Sequence, residues 1–82
     1  MKFDEHEQYL YDEWVLASHS ARLGRKTTIV CLTMENGYEV VGTSACVDPD
    51  DYDREIGVYW ATKDALKRVA DIVGYVRQSQ MV

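Results

Sequence analysis

Only one proline, two cysteines and nine lysines or arginines occur among the 82 residues. No stretch approaches the roughly 20 apolar residues that span a bilayer as a helix, so a membrane location is not expected. Two cysteines, Cys31 and Cys46, are too few for the disulfide framework of a small secreted domain. The N-terminal run from Met1 to Trp14 is acidic and aromatic, the opposite of a secretory signal. A reduced, cytoplasmic protein is expected. The bases are outnumbered by 14 acids, giving a net charge of −5, and they are scattered. Arg22, Arg25 and Lys26 form one local group and Lys67-Arg68 the other. Phosphate backbones are bound by clustered bases, so a nucleic-acid partner is not expected.

What is present is ordinary for a folded chain: 46% hydrophobic and 11% aromatic residues. Disordered segments are poor in both. The length fits one domain, residues 1–82. A chain this short buries only roughly 60% of its unfolded surface, and oligomerisation is a common remedy for that thin margin.

Three segments stand out. From about residue 4 to 23, Leu10, Trp14, Ala17 and Ala21 recur at helical spacing. Asp4, Glu5 and Glu7 lie at the start and Arg22 and Arg25 at the end, matching a helix dipole, with Gly24 as a stop. From about residue 26 to 46, two β-branched runs flank Asn36-Gly37. Asn-Gly suits a two-residue type I′ turn, because both central residues need positive φ. That turn pairs Met34 with Glu39, Leu32 with Val41, and Cys31 with Gly42. Leu32 and Val41 then share one face, and Ile29, Cys31, Tyr38 and Val40 the other, so either could be the core. From about residue 49 to 76, Asp48 and Pro49 provide a cap and a first helical position. Val58, Tyr59, Thr62, Leu66, Val69, Ala70 and Val73 share one face, and Gly57 and Gly74 mark a bend and an end. The expected fold is α+β: helix, β-hairpin, helix, with a small antiparallel sheet packed against the helices.

No constellation carries a reaction. Asp48, Asp50, Asp51, Asp53 and Glu55 are dense, but a calcium loop wants Gly at its sixth position and Glu at its twelfth. Counted from Asp48, those positions hold Asp53 and Tyr59, so helix capping is the better reading. His6 and His19 fall on the first predicted helix without a cysteine at zinc spacing, and no His is placed to activate Cys31 or Cys46. No cofactor, metal or catalytic residue is expected. Aromatics are numerous, and most should be core. Tyr11, Trp14, Trp60 and Tyr75 are the candidate interface residues, since exposed Trp and Tyr anchor protein contacts.

Several short motifs carry a resemblance. They are Glu35-Asn36-Gly37-Tyr38, the run from Gly42 through Ser44, Ala45, Cys46, Val47 and Asp48 to Pro49, then Tyr52-Asp53, Glu55-Ile56-Gly57 and Gly74-Tyr75. Over roughly residues 29–75 the chain resembles the small tailed-phage proteins named after phage gene products forty-nine and sixty-six. It departs from their pattern in V-Y-W-A-T-K-D-A-L, which lacks the more basic start expected there, and in V-A-D-I-V before Gly74. The resemblance implies a phage or prophage origin, and hence the cytoplasm of an infected bacterium. It transfers no reaction, cofactor or catalytic residue. Asn36, Gly37, Gly42, Ser44, Cys46, Asp48, Pro49 and Gly57 read physically as turn, strand, cap and packing positions, a fold signature rather than a site.

The functional expectation is a non-enzymatic phage accessory protein that binds a host or phage protein and forms a homo-oligomer. Inhibition of a host defence or metabolic protein is its specific version. The alternative is a small-ligand or nucleotide-binding regulator assembled from several copies. A pocket lined by Asp48, Asp53 and a tyrosine would favour the ligand, and a flat aromatic patch the protein.

Overall fold

The computed structural model describes residues 2–80, with element order α1 (Glu5–Trp14), β1 (Val15–Leu23), β2 (Thr27–Met34), β3 (Glu39–Ala45), a 3-10 turn (Pro49–Asp51) and α2 (Arg54–Gln80). The class is α+β, as the sequence predicts, but the sheet has three antiparallel strands in the order β1-β2-β3. The helix expected from about residue 49 begins at Arg54, behind a separate 3-10 turn, and the larger correction lies in the first segment. The helix expected over residues 4–23 ends at Trp14, where Val15 turns extended (φ −101°, ψ 121°), and the remainder is strand β1.

Local chemistry explains α1. Asp4 accepts a hydrogen bond from the Glu7 amide at 2.7 Å, and the Glu7 carboxylate accepts from the Asp4 amide at 2.9 Å. This reciprocal box satisfies two amides that a helix start leaves orphaned. The last turn holds no base, so the favourable end that Arg22 and Arg25 seemed to supply lies outside the helix. Gly24 has φ +66° and serves the β1–β2 hairpin instead of a helix terminus.

The second hairpin differs from expectation by one residue. Gly37 has φ +85°, but no residue other than glycine has a positive φ among those described. Asn36 therefore cannot form a type I′ turn. Instead the Gly37 amide bonds Met34 O at 2.9 Å and the Met34 amide bonds Tyr38 O at 2.7 Å, closing a loop of Glu35, Asn36 and Gly37. Leu32 consequently pairs with Val40, Cys31 with Val41, and Val30 with Gly42. A slip of one residue reverses every side chain of a strand, so Val40 belongs to the core face and Val41 to the opposite one.

That alternation decides the core. Thr28, Val30, Leu32 and Met34 are buried along β2, with Val40 and Gly42 beside them on β3. Against them α2 lays Ala61, Thr62, Ala65, Leu66, Val69 and Val73, and α1 adds Leu10. Burying each Leu or Val contributes about 1.5–3 kcal/mol. α2 runs without a break through Gly57 and Gly74, so Gly74 does not end it. Gly42 and the two alanines let the helix backbone approach the sheet, because a Cβ at Gly42 would overlap Ala61 O and Ala65 N.

The motifs from Gly42 to Gly57 tie these layers together. Ser44 donates to Gly57 O at 2.7 Å, and the Thr28 and Tyr52 hydroxyls meet at 3.1 Å. Asp48 caps the 3-10 turn that begins with Pro49, accepting from the Asp50 amide at 2.9 Å. Asp53 accepts from the Ile56 amide at 3.2 Å at the start of α2. Cys46 donates its thiol to Asp48 O. Its amide bonds Lys26 O, which places it five residues along β2 from Cys31, about 16 Å at a strand's rise. Both cysteines are unpaired.

Candidate functional site

The two helices share one side of the sheet, so its other face is open. Across its middle run His19, Cys31 and Val41, one from each strand, followed by Ala21, Ile29 and Thr43. Leu23 is 51% exposed and Val41 41% exposed on this face. Ile29 and Cys31 are half-buried there. Glu39, at one corner, is the acid among these strands, although the chain carries 14 acids in all. At strand spacings the whole face, with His19, Thr27, Thr33, Glu39 and Thr43 among its residues, measures about 14 Å by 25 Å, or about 350 Å². A monomer's largest apolar patch is typically about 300–600 Å² and often functional. Correct register would have revealed this face in the sequence, since Ile29, Cys31 and Val41 alternate with the core residues.

The strand assignment also places His19 directly opposite Cys31. This corrects the expectation that no histidine stands near either cysteine, which followed from reading residue 19 as helical. The pair does not extend to a metal site: no cluster of three or more His, Cys, Asp or Glu side chains suited to a metal exists among the described residues.

The candidate interface aromatics do not form one patch. Tyr11 and Trp14 are half-buried and pack against the core. Trp60 (53% exposed) and Tyr75 (73% exposed) stand on α2 fifteen residues apart, about 22 Å along the axis. The aromatics that do gather are Phe3, stacked on Tyr59 at 5.5 Å and on Tyr11 at 6.1 Å, with Trp60 edge-on to Tyr59 at 5.1 Å. Lys63 lies over Tyr59 and bonds the Glu7 carboxylate at 3.0 Å. The Glu7 hydrogen bond holds the Lys63 ammonium above its ordinary pKa. This cluster fastens α1 and the N-terminal residues to α2. The Tyr59 hydroxyl completes it by donating to Lys2 O at 2.8 Å.

Beside a cleft of about 490 Å³ between β3 and α2, lined by Tyr38, Val41 and Arg68 among others, two more flank the sheet. One, of about 280 Å³, is lined by Lys26, Ser44, Cys46, Asp51, Tyr52, Asp53 and Trp60 among others. Asp53 and a tyrosine are there, but Asp48 is not, and Asp53 is engaged as a helix cap. The other, of about 450 Å³, lies between β1 and α2, with Ser18 and Ser20 of β1, the aromatic rings of Phe3, Tyr11 and Tyr59, and Arg54 among its lining.

No helix among the described residues is long and apolar enough to cross a membrane. Neither the curated proteins nor the solved structures contain a match to the chain. The model of the phage protein (N4 Gp49/phage Sf6 gene 66) family matches residues 5–81, nearly the whole sequence and well beyond the motifs that first suggested it. The chain belongs to this phage protein family.

Proposed function

We propose that the chain is a non-enzymatic phage accessory protein that binds another protein, of the host or the phage, through the open face of its sheet. One observation carries this reading: the sheet face opposite the helices is nearly uncharged, with Leu23 and Val41 exposed beside half-buried Ile29 and Cys31, on an acidic chain. Apolar residues left together at a surface are often part of an interaction site. Inhibition of a host defence or metabolic protein is one use such a surface would serve.

The test uses tagged chain recovered from infected cells, with Val41→Lys as the comparison. Val41 is at the centre of β3, and its lysine would put a charge on the face without touching the core. A partner held by the wild type and released by Val41→Lys supports the reading. A partner retained equally by both, or none at all, overturns it. The small-ligand alternative has its own support in the 450 Å³ cleft, which falls within the range of about 300–1,000 Å³ usual for ligand sites. It predicts stabilisation by a nucleotide that Val41→Lys does not abolish.

A further inference from the structure

The two edges of the sheet are treated differently. On β3 the outward Thr43 amide donates to the Asp64 carboxylate at 3.0 Å, and Arg68 holds that carboxylate at 3.1 Å. A charge set on an edge blocks further strand pairing. β1 is interrupted only towards its ends, by a bulge between Val15 and Ala17 and by Arg22, whose guanidinium turns to Arg25 O. Between them Ala17–Ala21 holds no Asp, Glu, Lys, Arg or Pro; Ser20 Oγ accepts from Arg54 of α2 at 3.1 Å, and most of the strand is exposed.

Its hydrogen-bonding direction follows from its neighbours. The Glu35 amide bonds Trp14 O, and the Met34 amide bonds Tyr38 O. Odd residues of β2 therefore bond β1, and even ones bond β3. Their partners on β1 are Ala17, His19 and Ala21. The backbone groups of Ser18 and Ser20 consequently point away from the sheet. The sequence around them reads Ala17-Ser18-His19-Ser20-Ala21, the same in both directions.

We propose that two copies of the chain join by antiparallel pairing of their β1 edges about a twofold axis at His19. Ser18 of each copy then faces Ser20 of the other, and each such pair exchanges both of its N–H···O bonds. Ala17 faces Ala21, and His19 faces its own copy. A self-complementary contact is what a twofold requires, and a palindromic strand supplies it. Charge agrees as well. The same axis brings Arg25 and Lys26, beyond the end of one β1, towards Glu13 and Asp12, before the start of the other; all four are exposed. Two acidic molecules thus meet along a stretch that holds none of their carboxylates and is flanked by opposite charges.

Area gives the pairing a purpose. One open face of about 350 Å² is small, whereas a partner in a standard interface buries about 800 Å². Two sheets joined edge to edge present one continuous face of about twice the area, close to that standard. The pairing extends the protein-binding reading, but it depends on the outward edge of β1 and not on the face tested by Val41→Lys.

Light scattering coupled to size exclusion tests it at micromolar concentrations. The wild type should show twice the chain mass of 9.4 kDa. Ser18→Lys/Ser20→Lys sets lysine against lysine on both sides of the axis, and Ser18→Glu/Ser20→Glu does the same with carboxylates. Each double variant alone should be folded by circular dichroism and run at 9.4 kDa. Mixed, the two should recover the doubled mass as a heterodimer, because every lysine then faces a glutamate. A wild type of 9.4 kDa across a hundredfold concentration range overturns the pairing. So do double variants that remain dimeric, or that fail to pair when mixed.

Discussion

A single methyl group added at Gly42 should unseat α2 from the sheet. The Cβ of Gly42→Ala would overlap Ala61 O and Ala65 N and stand 2.8 Å from Ala65 Cβ. Carbon atoms rest at about 3.5–4.0 Å, so the helix must retreat by roughly 1 Å. Overpacking usually costs about 1–3 kcal/mol. Here the obstacles are backbone atoms, which no rotamer change can move, so a loss of about 3 kcal/mol or more is expected. The whole stability of a chain this size is about 4–12 kcal/mol, and each kcal/mol moves the melting temperature by about 4–8 °C. Thermal unfolding followed by far-ultraviolet circular dichroism should therefore show a fall of at least about 12 °C. Gly74→Ala is the companion measurement. Gly74 is exposed in α2 with nothing within 4 Å of its added Cβ, and alanine in a helix interior gains about 0.5–1 kcal/mol over glycine. A Gly42→Ala variant melting within about 3 °C of the wild type would refute the close approach of α2 to β3.

In the second hairpin, Gly37→Val should cost about 1–3 kcal/mol, because a β-branched residue resists positive φ. Asn36→Ala, which loses only the Asn36 carbonyl bond to the Tyr38 amide, should cost about 1 kcal/mol or less by urea unfolding. Equal, large losses at both positions would restore the type I′ turn. The Thr43 amide, with help from Arg68, holds the Asp64 carboxyl below its ordinary pKa. Its stabilisation is present above the unfolded value of about 3.9 and is lost as pH falls through the lower folded value. Asp64→Asn should be less stable than wild type at neutral pH, with the gap closing as the pH drops below about 4; a gap unchanged in acid contradicts this. Millimolar calcium should leave the melting temperature unchanged, because Asp48 and Asp53 already cap backbone amides. A clear rise would reassign the acidic segment to cation binding.

The elements that the sequence made legible are those whose signals were local. Asp48-Pro49 caps and opens a helical turn, as capping chemistry predicts, but it is a separate 3-10 turn, and Asp53 caps α2 five residues later. Gly42 was readable as a close approach, although the Ala61 and Ala65 that receive it were hidden because small residues add little to a helical stripe. β1 was misread because Leu10, Trp14, Ala17 and Ala21 continue a helical spacing across the break at Trp14. The contrary signals were Ser18 and Ser20, poor helix formers, and Gly24, whose positive φ serves a hairpin as readily as a helix end. What makes 15–23 a strand is long-range: pairing with β2 gives its backbone partners that a helix would otherwise have supplied. The sequence showed two partly apolar hairpin faces without deciding which is the core, and the one-residue register error set Val40 beside Ile29 and Cys31 in place of Val41.

Amide hydrogen exchange along β1, resolved by nuclear magnetic resonance, tests the central claim that residues 15–23 form an edge strand with one side free. Ala17, His19 and Ala21 should exchange slowly, because their amides bond β2, while positions 18 and 20 exchange slowly in the paired wild type and fast in the monomeric Ser18→Lys/Ser20→Lys variant. The substitutions should leave the protection of Ala17, His19 and Ala21 unchanged. Uniform protection from Glu5 through Leu23 in the monomeric variant as well, with no alternation, would mean a continuous helix and would remove both the open face and the pairing edge.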